Sequence, residues 1–273
     1  MPGQTTSILR HLDAQVLAVA LILFCLPATA DQPARVAVVI DDLGYLQTND
    51  RRVLGLDERV AVAIIPDGPL APTLSRHAAG QQREVLIHMP LPGILHDDCK
   101  YRATCIEPQW TPMRMAAHLQ WATQRVEHAI GLNNHQGSRF TTDGDAVNRL
   151  VGSIDLLERL HGTRLFVLDS YTVPGSLLKQ QARKAGLPSG RRHVFLDHDP
   201  QPEAIAKAWK SLIAVARERG SAIAIGHPHQ TTVEFLENHI PRLDEQGVEL
   251  VPVSHLMEPS PNGLPVPPAD RAP

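Results

Sequence analysis

The chain has 273 residues, is 43% hydrophobic and carries a formal charge of -3. That length and apolar content suit one large domain or two small ones with an ample core. Near-neutral charge, with no basic run and no interleaving of basic and aromatic residues, argues against nucleic acid as a partner. The chain is rich in histidine, with 14, but surface positions such as His77, His118 and His128 explain enrichment of that kind without any site.

The first thirty residues read as a segment outside the fold. Arg10 and His11 precede an apolar stretch from Val16 to Leu26, and Ala28-Thr29-Ala30 fits an A-x-A cleavage pattern. This is the pattern of a secretory signal peptide, although Asp13 is unusual in its leading region. The apolar run is short for a membrane span, and Cys25 has no lipobox around it. The expectation is an exported protein beginning near Asp31, with no stable membrane span after cleavage. In an oxidising compartment a local disulfide between Cys99 and Cys105 is the default. Their spacing fits neither a C-x-x-C motif nor a zinc knuckle.

The first element of the fold is Arg35-Val36-Ala37-Val38-Val39-Ile40, an apolar run without alternation, which reads as a strand buried on both faces. It stops at Asp41-Asp42-Leu43-Gly44. Two acids in series beside a core are costly unless something cationic compensates them; the alternative is that they cap a turn. A second buried run, 60–65, ends at Pro66-Asp67-Gly68, and a short helix from Leu70 to Ala79 is stopped by Gly80. Glu84-Val85-Leu86-Ile87 then runs into His88-Met89-Pro90.

Thr111 and Pro112 open a helix extending towards Ile130, with Met115, Leu119, Ala122 and Val126 on one face. A polar, glycine-bearing stretch follows, Gly131-Leu132-Asn133-Asn134-His135-Gln136-Gly137-Ser138. Further helices are predicted over about 145–160, 176–185 and 203–219, and one opens at a capping-box pattern, Thr231 with Glu234. Between them lie strands at 165–168, 193–196 and 222–226, ending respectively in Asp169-Ser170, Asp197-His198-Asp199 and His227-Pro228-His229. A closing strand spans 248–253. From 258 to 273 the proline-rich composition has no core-forming pattern.

Strand and helix therefore alternate about seven or eight times, which calls for an α/β fold with a parallel sheet. No G-x-G-x-x-G follows the first strand, so a (β/α) barrel is preferred to a dinucleotide-binding sheet. Asp41, Asp42, Asp67, His88, His135, Asp169, Asp197 and His227 all fall at or just after strand C-termini. In a barrel those ends share the face that carries the active site. Asp67 and Asp197, each before a turn rich in Gly or Pro, read as turn residues. Histidine is not a preferred cap, so three strands ending in histidine point to chemistry. Aspartate with two or three histidines suits a hydrolytic zinc centre with a water at an open position. Successive side chains of a strand diverge, so one acid could hold the metal while the other faces the water.

Taken together, Ile40-Asp41-Asp42-Leu43-Gly44, Ile87-His88-Met89-Pro90-Leu91, Asn133-Asn134-His135-Gln136-Gly137-Ser138, Phe166-Val167-Leu168-Asp169-Ser170 and Ile225-Gly226-His227-Pro228-His229 resemble the divergent polysaccharide deacetylase family. That family is the exported bacterial branch related to NodB-type carbohydrate esterases. The resemblance spans about Arg35 to Leu256 and implies a distorted (β/α) barrel in the periplasm or outside the cell. It also implies a divalent metal, usually zinc, and hydrolysis of an N- or O-acetyl group on a polysaccharide or peptidoglycan-like glycan. By that resemblance Asp41 is the catalytic base and Asp42 a metal ligand, with His88 and His135 as imidazole ligands. His227 is the general acid and Asp169 the partner that orients it. Asn134, Ser138 and His229 line the substrate pocket. The H-[ST]-x-x-H and Arg-Pro-Pro motifs of ordinary deacetylases are missing. Two alternatives therefore stand: His227 as a ligand, and a scaffold that binds glycan or serves envelope assembly without turnover. A two-carboxylate glycoside hydrolase is a third reading, and would need its acids facing each other across a cleft.

Overall fold

The computed structural model describes residues 33–95 and 97–259. The expected signal peptide (1–30) with Cys25, and residues 260–273 of the expected tail, lie outside the described residues. Glu258, where that tail was expected to begin, is part of the fold: it bridges Ser189 and its carboxylate takes both Lys179 and Arg183.

Nine strands form one sheet: β1 (Ala34–Leu43), β2 (Ala61–Ile64), β3 (Val85–Leu91), β4 (Gly131–Gln136), β5 (Phe166–Asp169), β6 (Ser189–Arg191), β7 (Val194–Phe195), β8 (Ser221–Gly226) and β9 (Val248–Leu250). Their order is β6-β5-β4-β3-β2-β1-β8-β7, with β9 beside the first half of β1, and every pairing in it is parallel. The single strand expected at 193–196 is replaced by two short ones at opposite ends of this order. Only Arg192 and His193 separate β6 from β7, and three residue steps reach at most about 10 Å. The sheet must therefore curl until its two edges nearly meet, although no ladder joins them among the described residues. The result is the expected deacetylase-like barrel, with one seam open. Among the described residues seven α-helices flank it: α1 (Gln47–Val53), α2 (Ala71–Gly80), α3 (Pro112–Arg125), α4 (Gly144–His161), α5 (Leu178–Lys184), α6 (Pro202–Arg219) and α7 (Gln230–His239).

Side-chain alternation sorts the buried residues into two cores. Val36, Val38 and Ile40 of β1, with Val85 and Ile87 of β3, pack outward under the helices. Ala37 and Val39, Leu86, Phe166 and Leu168, and Ile223 and Ile225 fill the barrel interior with Met257. Gly131 is needed at the inner start of β4, because a Cβ there would lie 2.5 Å from the Phe166 ring. The lower barrel is thus filled with side chains, and a cavity opens above it, at the strand C-termini.

Helix ends largely follow local chemistry. Thr111 accepts the Arg114 N–H, and Asp143 accepts the N–H groups of Asp145 and Ala146. The expected capping box at Thr231 does not form, since that hydroxyl donates to the Pro200 carbonyl and His229 occupies the N-cap position. Gly80 stays helical, and the left-handed residue after α2 is Gln82 (φ 59°).

A buried cation fixes the α1–β2 connection. The Arg83 guanidinium donates to the carbonyls of Asp57 (2.9 Å), Val60 (2.7 Å), Leu54 (3.2 Å) and Leu56 (2.9 Å). Arg83→Met keeps much of the stem but takes the guanidinium donor from the Val60 and Leu56 carbonyls, whereas Leu54 keeps Gln81 Nε2 and Asp57 keeps the Val60 N–H. Each buried unsatisfied group costs about 1–3 kcal/mol, so the variant is expected to lose at least about 2 kcal/mol, read from its denaturation midpoint.

Candidate metal centre

The alternation that builds the core also aims the site. Continuing inward from Ala37 and Val39, the next inward position of β1 is Asp41; Leu86 of β3 is followed by His88 in the same sense. Asn133 and His135 continue inward from Gly131. By strict alternation Asp42 would point away. The β1–β2 register shifts between Ile40 and Leu43, and Asp42 adopts a left-handed conformation at φ 62°. This bulge turns the second carboxylate back to the same side, so the two acids converge rather than diverge. Gln136 (φ 55°) and Tyr171 (φ 51°) are similarly unusual at the ends of β4 and β5, a clustering of backbone strain at one face.

His88 Nε2 lies 3.1 Å from Asp42 Oδ1 and 3.6 Å from Asp41 Oδ2, and His135 Nδ1 is 2.8 Å from the same Asp42 oxygen. One donor atom from each of Asp42, His88 and His135 falls within 4.8 Å of the others. Behind them, Asn133 Nδ2 donates to Asp41 Oδ1 (2.8 Å), which turns the Asn133 oxygen towards His88 Nδ1 (2.8 Å). His88 must therefore carry a proton on Nδ1, and its Nε2 faces two carboxylates. A neutral ring would aim a lone pair at those oxygens, so the arrangement calls for a cation there, either a second proton or a metal ion. The second nitrogen of His135 meets Asp98 Oδ2 at 3.2 Å. Such outer hydrogen bonds orient metal-binding imidazoles.

Charge distribution agrees. Burial raises the Asp41 carboxyl above its usual range despite His88 and His227 nearby. For Asp42 burial also acts upward, but the hydrogen bonds and charges of His135 and His88 outweigh it and hold the carboxyl far below the usual range. Burial works against a charged His88, yet Asp41 and Asp42 raise it. The donor set of one carboxylate and two imidazoles, each imidazole held by a polar neighbour, fits a divalent metal ion that keeps an open position.

Across the centre His227 Nε2 stands 3.8 Å from Asp42 Oδ2. Its partner is Asp197, not the expected Asp169. Asp197 Oδ1 takes the ring at Nδ1 (2.9 Å), and Oδ2 accepts the His227 N–H (2.6 Å) and the Thr232 hydroxyl (2.7 Å). Burial opposes a charge on His227, but Asp197, then Asp42 and Asp41, push its pKa up to about 9. Asp169 follows Val167 on the outward side of β5 and accepts from Tyr171 N–H and the Ser176 hydroxyl, both at 2.8 Å. Alternation along Val194, Phe195, Leu196 and Asp197 would have placed Asp197 inward.

A cavity of about 630 Å³ covers this centre, and Asp41, Asp42, His88, His135 and His227 line it. Asn134 and Ser138 line it as expected, whereas His229 is exposed at the start of α7 and is not among the lining residues. A second acid–histidine group, Asp197, His227 and His229, is also compact, but its carboxylate is already committed to three internal donors. The Cys99–Cys105 disulfide is formed. It closes the loop that carries Asp98 to His135. Asp67, expected as a turn residue, pins that loop through Arg102 (2.8 Å) and Thr104. Sequence reasoning overlooked Asp98 and Asn133, whose roles depend on contacts between loops and strands distant in sequence, and Arg192, which lines the cavity from the open seam.

Comparison with known proteins identifies the family and the fold. The family model described as divergent polysaccharide deacetylase matches residues 38–257. The uncharacterized protein YibQ of Escherichia coli K12 is 30% identical over 239 residues, covering 88% of this chain and 72% of that protein. An uncharacterized Agrobacterium tumefaciens C58 protein has a crystal structure similar to this fold at TM-score 0.74 and 21% identity, over 84% of this chain and 92% of that one. A mutant, with restored enzymatic activity, of a CE4 family pseudoenzyme of Bacillus anthracis shares the fold at TM-score 0.50 and 12% identity, over 82% of this chain and 67% of that one. With its family model spanning all but the ends of the described fold, the chain belongs to the divergent polysaccharide deacetylase family.

Proposed function

We propose that this protein is a divalent-metal-dependent hydrolase that removes N- or O-acyl groups, acetyl in the simplest case, from an envelope or exported polysaccharide or peptidoglycan-like glycan. The observation that carries the reading is the convergence of Asp42, His88 and His135 from β1, β3 and β4 beside a fourth inward group, Asp41. Asp42, His88 and His135 would hold the ion, for which zinc is the best match. When bound, the ion polarises the acyl carbonyl and makes its water acidic enough to lose a proton near neutral pH.

The chain supplies the proton transfers. Asp41, held at Oδ1 by Asn133, has Oδ2 available to take a proton from water. His227, charged through its bond to Asp197, gives a proton to the departing nitrogen or oxygen. Export to the periplasm or beyond is supported by the pattern of residues 1–30 and by the Cys99–Cys105 disulfide.

A glycoside hydrolase is disfavoured, because Asp41 and Asp42 approach one imidazole nitrogen from the same side at 3.6 and 3.1 Å rather than facing each other across a cleft. The rival of a glycan-binding protein without turnover is favoured by the missing deacetylase motifs. Acetate release from acetylated glucosamine oligomers separates the two. The hydrolase reading predicts release that stops after chelation and returns with added zinc. Glycan binding with no release at any metal loading would favour the rival.

A further inference from the structure

The cavity above the centre carries an apolar wall as well as its polar groups. Ile94, Leu95, Val173, Phe195 and Ile225 line it beside the reactive groups. Leu95 is 89% exposed and Ile94 59%, apolar surface at the rim that none of the described residues covers. The polar lining groups are largely engaged within the chain. Asn134 donates to the Gln136 carbonyl and accepts from Ser170 N–H, and Thr172 donates to that same Gln136 carbonyl. Ser138 Oγ accepts from Ile94 N–H, and Arg192 donates to the carbonyls of Ser170 and Tyr171. The Ser170 hydroxyl, buried without a partner among the described residues, and His198 remain for sugar hydroxyls, a small polar complement beside the apolar contact area. For scale, an apolar cavity of about 150 Å³ accommodates benzene, so an acetyl methyl would use little of this one.

We propose that this wall binds the acyl group of the substrate, and that the group is longer than acetyl: a fatty-acyl amide or ester on an amino sugar or glycan. The inference rests on the hydrolase reading and deepens it. Water adds across the acyl bond: its oxygen forms the new C–O bond of the released carboxylic acid as the C–N or C–O bond breaks. The departing amine or alcohol takes a proton from His227, and Asp41 takes one from the water. The long chain stays against the apolar wall until the product leaves.

The test uses glucosamines N-acylated with acetyl, butanoyl, hexanoyl and octanoyl chains, with zinc-loaded protein. Transfer of one methylene from water to an apolar wall favours binding by up to about fourfold, so kcat/KM is expected to rise at least tenfold from acetyl to hexanoyl. Leu95→Ser, at an exposed position that tolerates a polar residue, should flatten the rise; Val173→Ser should do so independently. The same compounds are titrated calorimetrically into Asp41→Asn protein, where slowed turnover lets affinity be read and affinity should follow chain length. Chain-graded affinity with no hydrolysis of any compound by the unsubstituted protein would uphold the apolar site and overturn the hydrolase reading. Hydrolysis in which acetyl matches or exceeds the longer chains, with affinity independent of length, would overturn the apolar site and leave the hydrolase reading standing.

Discussion

Asp41→Asn is expected to lower kcat by about 10²–10⁴-fold, the usual worth of a positioned general base, while the protein still binds its metal. The reason lies in the hydrogen-bond direction. Asn133 Nδ2 donates to Asp41 Oδ1, so an asparagine must keep its oxygen at that position and turn its NH₂ towards the cavity. A proton acceptor is replaced by a donor at nearly constant shape. Asp42→Asn should behave differently, because the lost charge is the one shared by His88 and His135. That variant is expected to lose the metal and, with it, activity. Measuring zinc content beside kcat for both variants separates the two acids; equal metal loss in both would refute the division of roles.

The second large effect is expected at Asp197→Asn. Asp197 Oδ2 accepts from a backbone N–H and a hydroxyl, and Oδ1 takes the His227 ring. The fixed His227 N–H requires an oxygen, so an asparagine would turn its NH₂ towards Nδ1. That nitrogen must then be unprotonated, and the imidazolium form is lost. In the parent protein His227 is charged below its pKa of about 9, so the acid form is present through neutral pH and disappears as pH rises through that value. Removing the carboxylate lowers the pKa, and the alkaline limb of the rate profile should move to lower pH. The rate at neutral pH is expected to fall by about 10²-fold or more. Asp169→Asn should leave the limb in place, because Asp169 bonds to Tyr171 and Ser176 instead.

Much of this was legible in the sequence, and alternation explains both the successes and the errors. The unalternating apolar runs announced parallel strands, and the polar residues at their ends marked one face. Asp169 was assigned to His227 by the family resemblance, although the parity of Phe166 and Leu168 turns it outward. Asp197 was read as a turn residue because a proline-bearing turn follows it, although the outward Val194 and Leu196 and the inward Phe195 set a parity that points it into the barrel. The turn at Asp42 could not be seen either, since a bulge depends on the register against β2. His229 lies beyond the end of β8, where strand parity no longer applies. Asp98 reaches His135 only because the disulfide loop is pinned by Asp67, Tyr45 and Arg102, contacts set by the folded loops.

The central claim is that a metal ion is held by Asp42, His88 and His135. The most direct measurement is an anomalous difference map, at the zinc edge, from crystals of the protein grown with zinc. A single strong peak is predicted about 2.0–2.2 Å from one atom of each of these three side chains, with Asp197 still bonded to His227. A peak on Asp197, His227 and His229 instead, or none at either group, would contradict it.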